Sequence, residues 1–469
     1  MSKRPIMVHP RSIGPSTLKL GHFYTVASIE LGNTTTKCIL VTTNLETAEI
    51  FQIDKEVRMT RDVRSPKTGE EVFGRTLVGV ELTLESVTEM VTEILTKVLK
   101  RARADIEDDL HFVVRSTGVT AGFARPEEVG AMVKALAEGC LNAGVSPRKM
   151  TASITPDNLP PSLREFTWLH KVYFDGAVAS SLPPSNAEVV ANEMEGELVT
   201  AGLKGAAKST DIDFRNPVMT LDFGTTLAGR ITDDGHPYAK TVGSFAGLAG
   251  AIPDALIRGS GLVEQTTGTV LDIQNATRAL RIEVDSKWAS EISSFIRVER
   301  IQKDVQRFGT VPVDINAADE SGVAIIGVDV GENGSDLKTL ESIGSDVFDG
   351  NGIEALLALI DTTQLGIVQR LVDIASTEGL VLDDTSLGLT GRAITTGQKP
   401  QLVHEHLALQ DGSRWVDSHP LLFVEDGLAM GAAVAARCMN SMGTVHRPMG
   451  GRRGDGCIMD ARMKSQKSR

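Results

Sequence analysis

The chain has 469 residues, 41% of them hydrophobic and 23% charged, enough for two to four domains with sizeable cores. Its net charge of −13 and aromatic content of only 4% argue against a general nucleic-acid binder, which needs clustered Lys and Arg or stacking platforms. Apolar runs are broken by Gly, Pro, Asp or Arg before membrane-spanning length, and residues 1–22 lack the apolar segment of a signal peptide. A cytoplasmic location with no membrane association is therefore expected. Cys38, Cys140, Cys438 and Cys457 show neither a CxxC pair nor a His partner at metal spacing, as expected of free thiols in a reducing compartment.

In chain order, residues 1–22 form a Pro- and Gly-punctuated arm, expected to be loosely held. Tyr24 to Thr43 reads as a β-hairpin, and short strands continue over 47–80, broken at the turn signal Ser65-Pro66-Lys67-Thr68-Gly69. Val87, Met90, Val91, Ile94, Leu95, Val98 and Leu99 keep a helical rhythm, with Ser86 and Glu89 at capping-box spacing. A buried strand, His111 to Ser116, stops at Thr117-Gly118-Val119-Thr120. Residues 123–185, with a helix near 127–143 and a Pro-rich stretch, read as an insertion, and a helix near 187–203 follows. The pattern then repeats: strand, loop and returning strand over 218–232, a Gly- and Ala-rich stretch at 243–253, and a charged insertion near 265–345. A long helix from Gly352 to about Ser376 precedes the strand Ser386–Leu389, and a small-residue helix spans 427–443. The basic tail 444–469 is expected to be flexible. The lobes are thus expected at 23–215 and 216–426.

Two segments carry the chemistry. Ile29-Glu30-Leu31-Gly32-Asn33-Thr34-Thr35-Thr36-Lys37 and Leu221-Asp222-Phe223-Gly224-Thr225-Thr226 each run from a hydrophobic strand through acid-x-Gly into a hydroxyl-rich turn. A strand stopping at glycine can turn its N–H groups outward beside Thr hydroxyls, a donor surface suited to phosphate oxygens. Glu30 and Asp222 stand where a carboxylate can hold a metal ion against that phosphate. Lys37 either neutralises phosphate charge or points to solvent. Ile325 to Gly334 also contains Asp-x-Gly and is read as a structural strand-turn. Glu425 and Asp426 are read as capping charges at the start of the last helix.

The order of these pieces resembles the acetate and sugar kinase, heat-shock-70 and actin superfamily. The resemblance implies an α/β, two-lobed actin-like ATPase fold, made of duplicated ribonuclease H-like domains with inserted modules. It implies ATP and Mg²⁺ as ligands, with Gly32, Asn33, Thr34, Thr35, Lys37, Gly224, Thr225 and Thr226 at the phosphates and Glu30 and Asp222 at the metal. Thr390-Gly391-Arg392-Ala393 matches the adenosine loop, with Thr390 where the family has a second Gly, and Arg392 is suited to stacking on adenine. Thr117 and Thr120 are expected near the γ-phosphate. No carboxylate beside them reads as a base, which implies slow hydrolysis. Glu30 stands where the family has Asp, which puts the catalytic rate in question. The first loop looks like that of the large subunit of diol dehydratase reactivase, and the whole chain is most similar to methanogenesis marker protein 14. The implied function is ATP-dependent activation or reactivation of a cofactor-bearing enzyme, with that enzyme as protein partner. A small-molecule kinase and a non-catalytic nucleotide-gated scaffold remain open.

Overall fold

The computed structural model describes residues 4–20, 22–118, 123, 125–150, 177–179, 193–215, 217–234, 240–273 and 284–442. Two mixed sheets organise the chain. In the first, β1 (Phe23–Leu31), β2 (Thr35–Asn44) and β3 (Ile50–Met59) form an antiparallel meander, and β4 (Phe112–Thr117) lies parallel to β1 on its other side. The second sheet repeats this plan with β5 (Val218–Phe223), β6 (Leu227–Thr232), β7 (Thr241–Gly247), β8 (Ile296–Arg300), β9 (Ala324–Val330), β10 (Ser386–Thr390) and β11 (Leu421–Val424). There β5–β6–β7 is the meander, and β10 and then β11 lie parallel beyond β5. The first sheet is completed by Ala177–Ala179 beyond β4, so both sheets share one central order, third–second–first–fourth–fifth. This internal duplication is the two-lobed actin-like ATPase fold.

Alternation of side chains along β1 connects the lobes to their cores. Ala27, Ile29 and Leu31 face the outer core of the first lobe, with α1 (Leu84–Ala102) and α2 (Pro126–Asn142). Tyr24 and Val26 face inward, onto α3 (Glu193–Ala207) and α6 (Gly427–Met442), and on to Val218, Leu422 and Val424 of the second sheet. The second lobe's outer core joins Leu221, Phe223 and Phe245 to α4 (Ala251–Gly259) and α5 (Leu337–Thr377). Crossing of α3 and α6 requires glycine: a Cβ on Gly202 would strike the Gly427 carbonyl, and one on Gly431 the Leu198 carbonyl.

Several elements differ from the sequence reading. The N-terminal arm is not loose, because Met7–Val8 pairs with β11 and Arg11–Ser12 with β3, stitching both sheets. The cap of α1 is Thr83, exchanging bonds with Ser86, rather than Ser86 with Glu89. The stretch 286–330 is no separate module: β9 pairs with β7, and β8 with β9, extending the second sheet. The helix read from Gly352 to about Ser376 forms the second part of α5, Gly352 at φ 82° separating it from a preceding helix that starts at Leu337. The whole of α5 is long and apolar enough to cross a membrane, but 61% of its most apolar window is buried within the protein, as in the core helix of a globular domain. The tail from 444 lies outside the described residues.

Candidate functional site

The two acid-x-Gly hairpins meet between the lobes. In the first, Glu30 and Lys37 are direct cross-strand partners, and the Lys37 ammonium lies 2.9 Å from the Glu30 carboxylate. Burial works against the lysine's charge, but Glu30, with help from Asp426 and Asp222, more than offsets it and moves its pKa up. In the second hairpin Asp222 faces Ala228, which has no charge to offer. Gly32 N–H donates to the Thr35 carbonyl at 3.0 Å, closing the first turn. Thr60, fully buried at the end of β3, braces it: its hydroxyl donates to the Gly32 carbonyl at 2.8 Å, and its N–H donates to the Thr34 carbonyl at 2.9 Å. Around the second turn, Gly250 N–H donates to Gly224 and Ala249 and Ala251 N–H to Thr225. That explains the Gly- and Ala-rich stretch: it packs backbone against the loop, and a Cβ on Gly250 would strike the Gly224 carbonyl.

Glu30, Gly32, Asn33, Thr34, Thr35, Lys37, Asp222, Gly224, Thr225, Thr226, Thr390, Gly391 and Arg392 all line one interlobe cleft of about 230 Å³. The loops touch directly, Thr34 Oγ1 lying 2.7 Å from Thr225 Oγ1. Gly391 at φ 93° lets β10 end against Asp222, where a Cβ would collide with the Asp222 carboxylate. Ala393 lies apart from the cleft lining, buried in the second lobe's core. Thr117 belongs to β4, its backbone in register with Leu31, and Thr120 lies outside the described residues.

Two expected roles change. Arg392 has a further role besides the stacking expected of it. Its guanidinium is paired with buried Asp254 and donates to Thr34 Oγ1 at 3.0 Å, so it reaches the first acid-x-Gly loop from the second lobe. Asn33 is a brace, donating to the Gly118 carbonyl at 2.8 Å and accepting from Leu77 N–H at 2.9 Å. The cleft also gathers residues the sequence reading missed or set aside. Lys55 pairs with Glu425 at 2.9 Å and Asp426 at 2.7 Å, and all three line the cleft, so these acids are not merely helix caps. Glu195, in the first turn of α3, also lines the same cleft. Its only local signal is a run of acids, Glu193, Glu195 and Glu197, opening a helix.

Buried Asp222 has its pKa pushed up to about 7, first by loss of water, with Glu30 and Asp426 adding to the shift and Lys37 opposing it. Carboxylates crowded beside these turns fit a hard divalent cation, whose charge would relieve their repulsion. Among the described residues no group of three or more ligating side chains is assembled for a metal ion. One or two carboxylates completed by nucleotide phosphates and water is the mode that Mg²⁺ favours. The third acid-x-Gly turn is organised by Asp329, which accepts from the N–H groups of Asn333 and Gly334 at 2.8 and 2.9 Å.

Among solved structures, the chain is similar to a reductive activator for a corrinoid, iron-sulfur protein, at 10% identity and a TM-score of 0.37. That match covers 95% of this chain, which spans 65% of the activator's length. It is also similar to the ethanolamine utilization protein EutJ from Carboxydothermus hydrogenoformans, at 11% identity and a TM-score of 0.34, covering 88% and 89% of the two chains. Two uncharacterised proteins are far nearer in sequence. One, from Methanocaldococcus jannaschii, is 52% identical over all of this chain and 96% of its own length. The other, from Methanothermobacter thermautotrophicus, is 52% identical over 95% of this chain and 83% of its own length. Residues 23–466 match the model of uncharacterised proteins conserved in archaea known as DUF2114, and the chain belongs to that family.

Proposed function

We propose that this protein binds Mg·ATP between its lobes, hydrolyses it slowly, and uses the resulting lobe movement to activate or reactivate a cofactor-dependent enzyme. The carrying observation is the direct Thr34–Thr225 contact at 2.7 Å. A γ-phosphate draws contacts from both loops only when the lobes are closed, so nucleotide state and lobe spacing are tied together. Glu30 and Asp222 would hold Mg²⁺, which supplies charge neutralisation at the phosphates. Thr34, Thr35, Thr225 and Thr226 would bind phosphate oxygens, and Arg392 would fix Thr34 in place. Resemblance to methanogenesis marker protein 14 and the Methanocaldococcus and Methanothermobacter origin of two relatives support a partner in methane metabolism, such as an enzyme using a corrinoid or nickel tetrapyrrole, in the cytoplasm. One observation favours a second reading, a small-molecule kinase: Glu195 gives the cleft a carboxylate that could take a proton from an acceptor hydroxyl.

Calorimetry of Mg·ATP with wild type and Asp222→Ala tests the site, and the variant is expected to lose Mg-dependent binding while staying folded. Unchanged affinity would remove the site assignment. Phosphate release measured with and without candidate enzymes distinguishes the readings: stimulation by a protein supports the activator, and phosphate appearing on an added small hydroxyl compound supports the kinase.

A further inference from the structure

The N-terminal arm lies on both lobes at once. Met7–Val8 runs parallel to β11, with Val8 opposite Val424, and Arg11–Ser12 runs parallel to β3, with Arg11 opposite Phe51. Backbone bonds fix each end. Phe423 N–H donates to the Ile6 carbonyl at 3.0 Å and Glu425 N–H to the Val8 carbonyl at 3.1 Å, while Ile13 N–H donates to the Gln52 carbonyl at 3.3 Å. Between the two pairings stand His9 and Pro10, and the proline ring holds its φ at about −65°. From Val8 to Arg11 the chain reaches at most about 10 Å, so the two sheet edges cannot part here unless one end of the arm lets go.

The main chain crosses between the lobes at the same place. β11 belongs to the second sheet and α6 packs on Tyr24 and Val26 of the first, so Glu425 and Asp426 carry the chain from one lobe to the other. Asp426 stands at φ 56°, a left-handed conformation uncommon for residues other than glycine. The two crossings are tied together. His9 Nδ1 lies 2.8 Å from a Glu425 carboxylate oxygen, and Lys55 of β3 holds Glu425 at 2.9 Å and Asp426 at 2.7 Å. Two short segments fastened side by side resist a twist that either alone would allow. Short connections at the ends of elements are where hinges absorb changes of φ and ψ.

We infer that the arm is a second strand of the interlobe hinge, which stiffens the joint at Glu425–Asp426 and restrains how far the lobes move apart. Its two ends are unequal. Val8 is buried in the core that the lobes share, whereas Arg11 and Ser12 are exposed. The end on the first sheet is therefore the one that frays, and its release loosens the hinge. Lys55, Glu425 and Asp426 also line the cleft, so the joint and the cleft are built from the same charges. The inference concerns the joint and does not depend on which ligand the cleft takes.

The test is the distance between spin labels on the two lobes, read by pulsed electron resonance on the full chain. Labels go at Glu71→Cys and Lys338→Cys, both exposed, with Cys438→Ser and Cys457→Ser to remove competing thiols. Two variants loosen the arm in different ways: His9→Gly with Pro10→Gly frees the pivot and its hold on Glu425, and Ile13→Pro removes the bond to Gln52. Each should broaden the distance distribution and shift it to longer values, and circular dichroism checks that each is folded. Distributions equal to wild type in both folded variants overturn the hinge role. So does a lower urea midpoint with unchanged distances, which makes the arm a staple only. Adding a non-hydrolysable ATP analogue separates this from the proposed function. Variants that differ from wild type while the analogue shifts nothing leave the hinge standing and remove nucleotide-driven movement; the reverse result does the opposite.

Discussion

Asp222 carries the clearest single-residue consequence. Its folded pKa of about 7 lies above the ordinary 3.8, so between those values the folded chain retains a proton that the unfolded chain has released. Stability contributed by this group is therefore greatest at low pH and is lost as pH rises through that window. Denaturation measured across a pH series should show this decline in the wild type and a flatter profile in Asp222→Asn. A cation needs the ionised carboxylate, so Mg·nucleotide affinity should move oppositely, rising by up to about ten-fold per pH unit below 7 and levelling above it. At Glu30 the effect is one of reach. Glu30→Asp withdraws the carboxylate from Lys37, now 2.9 Å away, and is expected to change ATP turnover more than ATP affinity. Equal kinetics in steady-state phosphate release would show that the longer acid is neutral.

At the scale of elements, the crossing of α3 and α6 decides how the lobes are joined. The small residues of α6 do not form a slack hinge: Gly431 packs against the Leu198 carbonyl closely enough that any side chain must displace backbone. Gly431→Ala is accordingly expected to lower stability by about 1–3 kcal/mol, the usual cost of overpacking, as read from urea unfolding. A midpoint equal to wild type would mean that the helices separate freely. Rotation of the lobes must then come from the loops around a rigid crossing.

At the scale of the whole molecule, the lobes share the apolar core around α3 and α6, and the cleft is bridged by polar contacts. Arg61–Asp272, Lys55–Asp426, Thr34–Thr225 and Arg392–Thr34 bridge the two lobes. A partly exposed ion pair such as Arg61–Asp272 contributes about 1 kcal/mol or less, too little to lock the lobes but enough to shift an open–closed balance several-fold. Small-angle scattering should therefore show a more open form in Arg61→Ala than in wild type. In the wild type, ADP should give a more open form than an ATP analogue. Coincident profiles for the two nucleotides would remove nucleotide-driven closure and favour a scaffold.

Both hairpins were legible in the sequence because everything that makes them is local: alternating apolar residues, an acid, a glycine and a hydroxyl-rich turn within ten positions. Duplication was legible for the same reason, as one local pattern written twice. The environments of these residues were not. Arg392 reads as a planar cation free to stack, yet its partner Asp254 is 138 positions away and Thr34 is 358 away. Lys55 meets Asp426 across 371 positions, which turns apparent capping charges into cleft residues. Thr60 is one threonine among many until β3 ends beside the first loop. Sequence by itself determined which segments could cradle a phosphate, since turn chemistry is set by neighbouring residues. Only the tertiary structure decided which charges are neutralised, which carboxyl is pushed up, and how the N-terminal arm joins the two sheets. Those properties arise from burial and from distances between residues far apart in the chain.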